Sequence, residues 1–191
     1  DIESEFERCI AMLVNDEMAT HIARKFANDN TGPAQPSKMD IAIRQWQEIF
    51  PENTILMENN ELTFSRFIDS EKYQSMKLSD GEKAVLYYIA AVLYAMPDAV
   101  IFIDSPTLFL HPSILNTVWN AIENLRPDCT FIYNTYDVNF VNSRTENVCI
   151  WIKSFNIEQH AWDYEVLRSD NLDEELFIDL IVTRKPVLFI E

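Results

Sequence analysis

The sequence predicts an α/β fold, with a parallel β-sheet core preceded by a largely helical N-terminal lobe. Three observations carry this. The run Ala99-Val100-Ile101-Phe102-Ile103 is continuously apolar, the pattern of a strand inside a parallel sheet covered on both faces. A second apolar run, Cys129 to Tyr133, follows an amphipathic helix, Ser113 to Leu125, bearing Ile114, Leu115, Val118, Trp119 and Ile122. Strand, helix and strand in short steps imply a right-handed parallel crossover. Ahead of them, residues 3–28 and 39–49 place apolar side chains at helical spacing.

In chain order, Phe6, Ile10, Leu13, Val14, Met18, Ile22 and Phe26 predict a helix from Glu3 to about Asn28. Residues 28–37, with Gly32, Pro33 and Pro36, read as a loop. A second helix spans Met39 to Ile49, with Ile41, Ile43, Trp46 and Ile49 available for packing and Pro51 just past its end. Residues 54–67 alternate weakly around Asn59-Asn60, a hairpin signal that completes an accessory lobe over 1–72. Residues 73–168 then form the α/β part. Lys83 to Met96 is apolar on almost every side and stops at Pro97, so it is a buried helix. Val148 to Ile152 reads as the next buried strand. Residues 169–191 hold an acidic helix, Asp173 to Ile181, whose Asp173, Glu174 and Glu175 complement the helix dipole, and then a strand-like run.

Composition narrows the function classes. A chain of 191 residues with 48% hydrophobic and 12% aromatic side chains has the makings of a folded core. Its formal charge of −16 opposes duplex DNA binding through its general surface, because phosphate contacts need Lys and Arg; other segments or a partner would supply them. Cys9, Cys129 and Cys149 lack metal-ligand spacing and read as buried free thiols in a reducing cytosol. His21, His111 and His160 form no ligand pair, and Trp46, Trp119, Trp151 and Trp162 fall on apolar faces and read as core. No apolar run reaches the ~18–20 residues that cross a bilayer, and no signal peptide opens the chain, so a cytoplasmic location is expected. The missing initiator Met and the strand-like ending suggest a piece of something longer.

Two short motifs carry chemistry. Lys77-Leu78-Ser79-Asp80-Gly81-Glu82-Lys83 holds one of only two glycines and opens the buried helix. Ser79-Asp80-Gly81-Glu82 is a capping box. The same helix end also suits a phosphate, with free N–H groups, a positive dipole end, a close backbone approach at Gly81 and a hydroxyl on Ser79. Asp104 ends its strand where a carboxylate can hold Mg²⁺ through water beside a triphosphate, or simply cap the turn that Pro106 assists. A Gly-rich phosphate loop ending in Gly-Lys-Ser/Thr does not occur in these residues.

Taken in order, this set resembles the ATP-binding-cassette ATPases: the Leu78-to-Glu82 turn, a buried helix, a strand ending in Asp104, a Pro, Leu108-Phe109-Leu110-His111-Pro112, and a strand ending in Asn134-Thr135-Tyr136-Asp137. The likeness is greatest to the SMC-like branch containing the overcoming-lysogenization-defect (OLD) nucleases and related anti-phage defence ATPases. It implies part of a P-loop NTPase head of the ABC type. Leu78 to Glu82 would be the signature motif, in which Ser79, Asp80, Gly81 and Glu82 meet the γ-phosphate of ATP held by the opposite subunit. Val100 to Asp104 would be the Walker B strand, with Asp104 on Mg²⁺ through water, and Leu108 to Pro112 the D-loop. Tyr136 would fall at the switch-histidine position. The cofactors implied are ATP and Mg²⁺, and the partner a second head, in a homodimer or head-to-head ATP sandwich. Val187-Leu188-Phe189-Ile190-Glu191 resembles the first strand of a TOPRIM-like nuclease domain, and nucleic acid would be reached through other segments.

Two departures bear on catalysis. Ser105 stands where the family has Glu after the Walker B Asp, and a hydroxyl cannot orient the attacking water as a carboxylate does; such a loss costs ~10²–10⁴-fold. Tyr136 donates a hydrogen bond but carries no positive charge at neutral pH. The resemblance thus implies an ATPase, while this chain alone is not expected to hydrolyse ATP. A degenerate head that senses nucleotide and signals by dimerising is a second reading. A plain α/β interaction domain is a third.

Overall fold

A computed structural model of the chain describes residues 2–27, 35–58, 61–67, 71–144 and 147–168. The chain forms two compact units, Asp1–Tyr133 and Asn134–Glu191. The predicted Gly32-Pro33 loop, the Asn59-Asn60 turn, the acidic helix Asp173 to Ile181 and the terminal run Val187 to Glu191 lie outside the described residues.

The first unit opens with two helices, α1 (Ile2–Ala27) and α2 (Lys38–Ile49). Ser37 caps α2: its Oγ accepts from Asp40 N at 3.0 Å, while its own N–H donates to Asp40 Oδ2 at 2.9 Å. An antiparallel sheet follows, β1 (Thr54–Glu58), β2 (Glu61–Ser65) and β3 (Tyr73–Gln74), with Thr54 opposite Ser65 and Phe64 opposite Tyr73. Helix α3 (Asp80–Tyr94), strand β4 (Val100–Asp104), helix α4 (Pro112–Leu125) and strand β5 (Thr130–Asn134) complete the α/β part. Strands β4 and β5 are neighbours joined through α4, which makes them parallel.

The core is built on α3, which packs against α1, α2 and α4. Its Val85, Leu86, Ile89 and Ala90 are fully buried, as its near-continuous apolar sequence requires. Trp46 of α2, also fully buried, meets Phe50 and Phe64 at ring-centroid distances of 4.6 and 5.9 Å, joining the helices to the antiparallel sheet. Trp119 of α4 lies 5.0 Å from Tyr88 and 5.2 Å from Tyr133.

Five expectations need correction. Strand β4 is not covered on both faces: Ile103 is buried, whereas Val100 and Phe102 are each 66% exposed, and Ile132 of β5 is exposed beside them. Helices α3 and α4 supply apolar cover for one side of this two-stranded sheet only. The far end of α1 does not pack, since Ile22 is 52% and Phe26 85% exposed. In the second unit, after the short helix α5 (Val138–Asn142), β6 (Val148–Asn156) is no buried parallel strand. It pairs antiparallel with β7 (Ala161–Arg168), Ile150 opposite Val166 and Ile152 opposite Tyr164, with Val148, Ile150 and Ile152 exposed. A continuous apolar run does not reveal its partner, so a hairpin and a crossover strand look alike. Trp162 of β7 is exposed rather than core. The cysteines are free but only partly buried.

Arg126, just past α4, ties the helix ends together. Its guanidinium donates to the carbonyls of Val92 (2.7 Å), Ala95 (2.8 Å) and Met96 (2.8 Å), adding charged donors at the end of α3, where Val92 O also accepts from Ala95 N and Met96 O from Ala99 N. It also grips Asp128 bidentately, Nε to Oδ1 at 2.9 Å and Nη2 to Oδ2 at 2.8 Å. Those bonds hold the Asp128 carboxyl far below its ordinary 3.8. The folded value lies below the unfolded one, so the pair stabilises the fold above pH 3.8 and the contribution is lost as the pH falls below it. Arg126→Ala is expected to cost about 1–3 kcal/mol at neutral pH through loss of the charge-assisted bonds to these carbonyls. It should also flatten the loss of stability between about pH 4 and pH 2, both read from denaturant unfolding across pH.

Candidate functional site

The turn from Ser79 to Glu82 forms the N-terminus of α3, and its capping box is fully made. Ser79 Oγ accepts from Glu82 N at 3.3 Å and donates to Glu82 Oε2 at 2.8 Å, and Ser79 N donates to the same oxygen at 2.8 Å. Two of the four orphan amides of the helix start are thereby used, which leaves those of Asp80 and Gly81 as the first-turn donors the box does not occupy. Ser79 and Asp80 are exposed and Glu82 is buried. To reach a phosphate, the Ser79 hydroxyl has to turn away from Glu82. Sequence reasoning did not anticipate Asn53, whose Nδ2 donates to Glu82 Oε1 at 3.0 Å. The two residues are 29 positions apart, and no local pattern links them.

Gly81 does not need its glycine for a positive φ. It needs it for space: a methyl group there would lie 2.7 Å from the Phe109 carbonyl oxygen. The loop after Asp104 is therefore pressed onto the start of α3. That loop is tightly wound, with Ser105 at φ 53° and Phe109 at φ 65°, both in the left-handed region that side chains rarely adopt. Leu108 N donates to Ser105 O at 2.9 Å and Leu110 N to Thr107 O at 3.3 Å. The buried Trp119 indole N–H donates to Pro106 O at 2.9 Å and anchors the loop on α4. His111 closes it as the N-cap of α4, its Nδ1 accepting from Ser113 N at 3.2 Å, with Pro112 at the first helical position.

Asp104 ends β4 with an exposed carboxylate, and Ser105 is half-buried next to it. An exposed carboxylate at a strand end suits water-mediated Mg²⁺, whereas Ser105 brings only a hydroxyl. The structure thus joins the Ser79–Glu82 turn to the Asp104–Leu110 loop within the first unit. Tyr136 belongs to the second unit. It is 86% exposed in the segment ahead of α5, whose N-cap is Asp137. An open cleft of about 460 Å³ lined by Arg66, Phe67, Glu71, Tyr73 and Lys77 places two cationic side chains just upstream of the turn. Among the described residues no group of three or more His, Cys, Asp or Glu forms a metal cluster, and no helix is long and apolar enough to cross a membrane.

Residues 11–142 match the family described as "AAA domain, putative AbiEii toxin, Type IV TA system". No curated protein matches the chain. Among the solved structures that do match is an SMC ATPase studied for ATP-driven dimerization and DNA-stimulated activation, with a TM-score of 0.51 and 13% identity over 77% of this chain and 94% of that one. At that identity the likeness establishes the fold alone, a mixed α/β architecture with a parallel sheet and helices shared with that ATPase.

The contact at Gly81 sets an expected outcome. Gly81→Ala should destabilise the first unit by about 1–3 kcal/mol, because a backbone carbonyl has to move rather than a flexible side chain. Trp119→Phe keeps the ring but orphans the Pro106 carbonyl, for about 1–3 kcal/mol. Chemical denaturation midpoints check both.

Proposed function

The chain belongs to this AAA-domain family, and from that premise we propose that it is the signature-bearing part of an ATP-binding head that closes on ATP with a second copy of itself. The first-turn amides of Asp80 and Gly81, with the Ser79 hydroxyl, face the γ-phosphate of ATP held by the opposite copy, and Glu82 holds their turn. Asp104 holds Mg²⁺ through water. When bound, Mg²⁺ neutralises charge on the phosphates. The observation that carries this reading is the seating of the Asp104–Leu110 loop on Gly81. Because the metal-side carboxylate and the phosphate-side turn share one packed segment, engagement at either is felt by the other.

The same resemblance extends the proposal. Nucleotide state would gate DNA recognition or an attached TOPRIM-like nuclease, in the manner of cytoplasmic anti-phage defence ATPases. The similar SMC ATPase is described as activated by DNA, which supports the DNA link. A formal charge of −16 assigns phosphate contacts with DNA to other segments.

One observation favours a second reading, a hydrolysis-deficient head acting as a nucleotide-sensing dimerisation module. Ser105 occupies the position after Asp104 with a hydroxyl on a left-handed backbone, and Tyr136 stands in for the switch histidine. The test is Mg²⁺-ATP binding and turnover by the intact protein, supplied with its phosphate loop, with Ser105 compared to Ser105→Glu. Tight binding with slow turnover, accelerated on the order of 10²-fold or more by Glu, is expected. Absence of ATP binding by both proteins would leave an α/β interaction domain.

A further inference from the structure

Glu82 is buried, and an ionised carboxylate only accepts hydrogen bonds, so its surroundings must donate. It receives three donors: Ser79 N and Ser79 Oγ on Oε2, and Asn53 Nδ2 on Oε1. The Asn53 amide must present its nitrogen here, because two oxygens would repel. Asn53 is itself fixed where α2 hands over to β1, its backbone N–H donating to Phe50 O at 2.9 Å. The accessory helices and hairpin thus reach the α3 start through one side-chain amide.

We infer that Asn53 is a positioning residue for the phosphate-facing turn, holding Glu82 in place so that the Ser79 hydroxyl can leave it for a phosphate. This rests on the reading proposed above. When the hydroxyl turns away, Glu82 keeps one donor on each oxygen, Ser79 N on Oε2 and Asn53 Nδ2 on Oε1. The Ser79 N to Glu82 half of the box survives the change and holds the turn that carries the Asp80 and Gly81 amides. Without Asn53, Oε1 has lost its donor before the hydroxyl moves. A buried, under-satisfied carboxylate then keeps the hydroxyl for itself. Asn53 therefore sets the cost of releasing Ser79, and any movement of the accessory lobe changes that cost.

The test reverses the pair without changing its shape. In the intact protein, Asn53→Asp places carboxylate against carboxylate, whereas Asn53→Asp with Glu82→Gln restores one donor and one acceptor in the opposite direction. Mg²⁺-ATP-driven association is measured by sedimentation, with the thermal midpoint recorded in parallel. Asn53→Asp is expected to weaken association about tenfold or more, and the reversed pair to associate at least about threefold better than Glu82→Gln alone. If the single variant does not fold, the reversed pair alone decides. Unchanged association in Asn53→Asp, or a reversed pair that regains its thermal midpoint but not ATP-driven association, would overturn the inference and leave Asn53 a structural residue. If the unmodified protein does not associate on ATP, the proposed function fails and takes this inference with it.

Discussion

The close approach of the Phe109 carbonyl to Gly81 is the constraint on which the candidate site depends. It admits only a hydrogen at that position, so one of the two glycines in the chain stands where the loop after β4 crosses the start of α3. The loop meets that requirement at a cost. Ser105 and Phe109 both lie in the left-handed region, a strain of order 1–3 kcal/mol each that persists only where surroundings hold it. The surroundings here are concrete: the buried Trp119 indole on Pro106, and the paired Leu108 and Leu110 amides. The strain is thus concentrated between the strand end at Asp104 and the N-terminus of α3.

The rest of the first unit supports that junction. Helix α3 is buried by α1, α2 and α4, its N-terminus closed by the Ser79–Glu82 box and its C-terminus by the Arg126 guanidinium. Side chains distant in sequence reach both ends, Asn53 on the Glu82 carboxylate of the N-terminal box and Arg126 on the C-terminal carbonyls. The helix is therefore held in register with the lobe before it and the crossover after it. The sheet it covers has a second, apolar face that this chain leaves open at Val100, Phe102 and Ile132.

Much of this was legible in the residues. Periodicity located α1, α2, α3 and α4 to within a few positions, because apolar spacing and caps such as Ser37, Ser79 and Pro112 are local properties. Apolar runs located β4, β5 and the start of β6 for the same reason. The capping box at Ser79 and the strand-ending Asp104 were readable too.

The sequence by itself therefore determined α1 to α4, the apolar strands and the caps at Ser37, Ser79 and Pro112, since each follows from interactions within a few residues. Only the tertiary structure decided what those elements meet. It showed that Gly81 serves a carbonyl 28 residues away rather than a left-handed turn, that Glu82 is shared with Asn53, and that β6 closes on β7 instead of joining a crossover. It also showed that Val100 and Phe102 face outward. A side chain's type dictates whether it wants burial, a donor or space, but which distant group supplies it is settled by chain closure over tens of residues, and no local pattern encodes that.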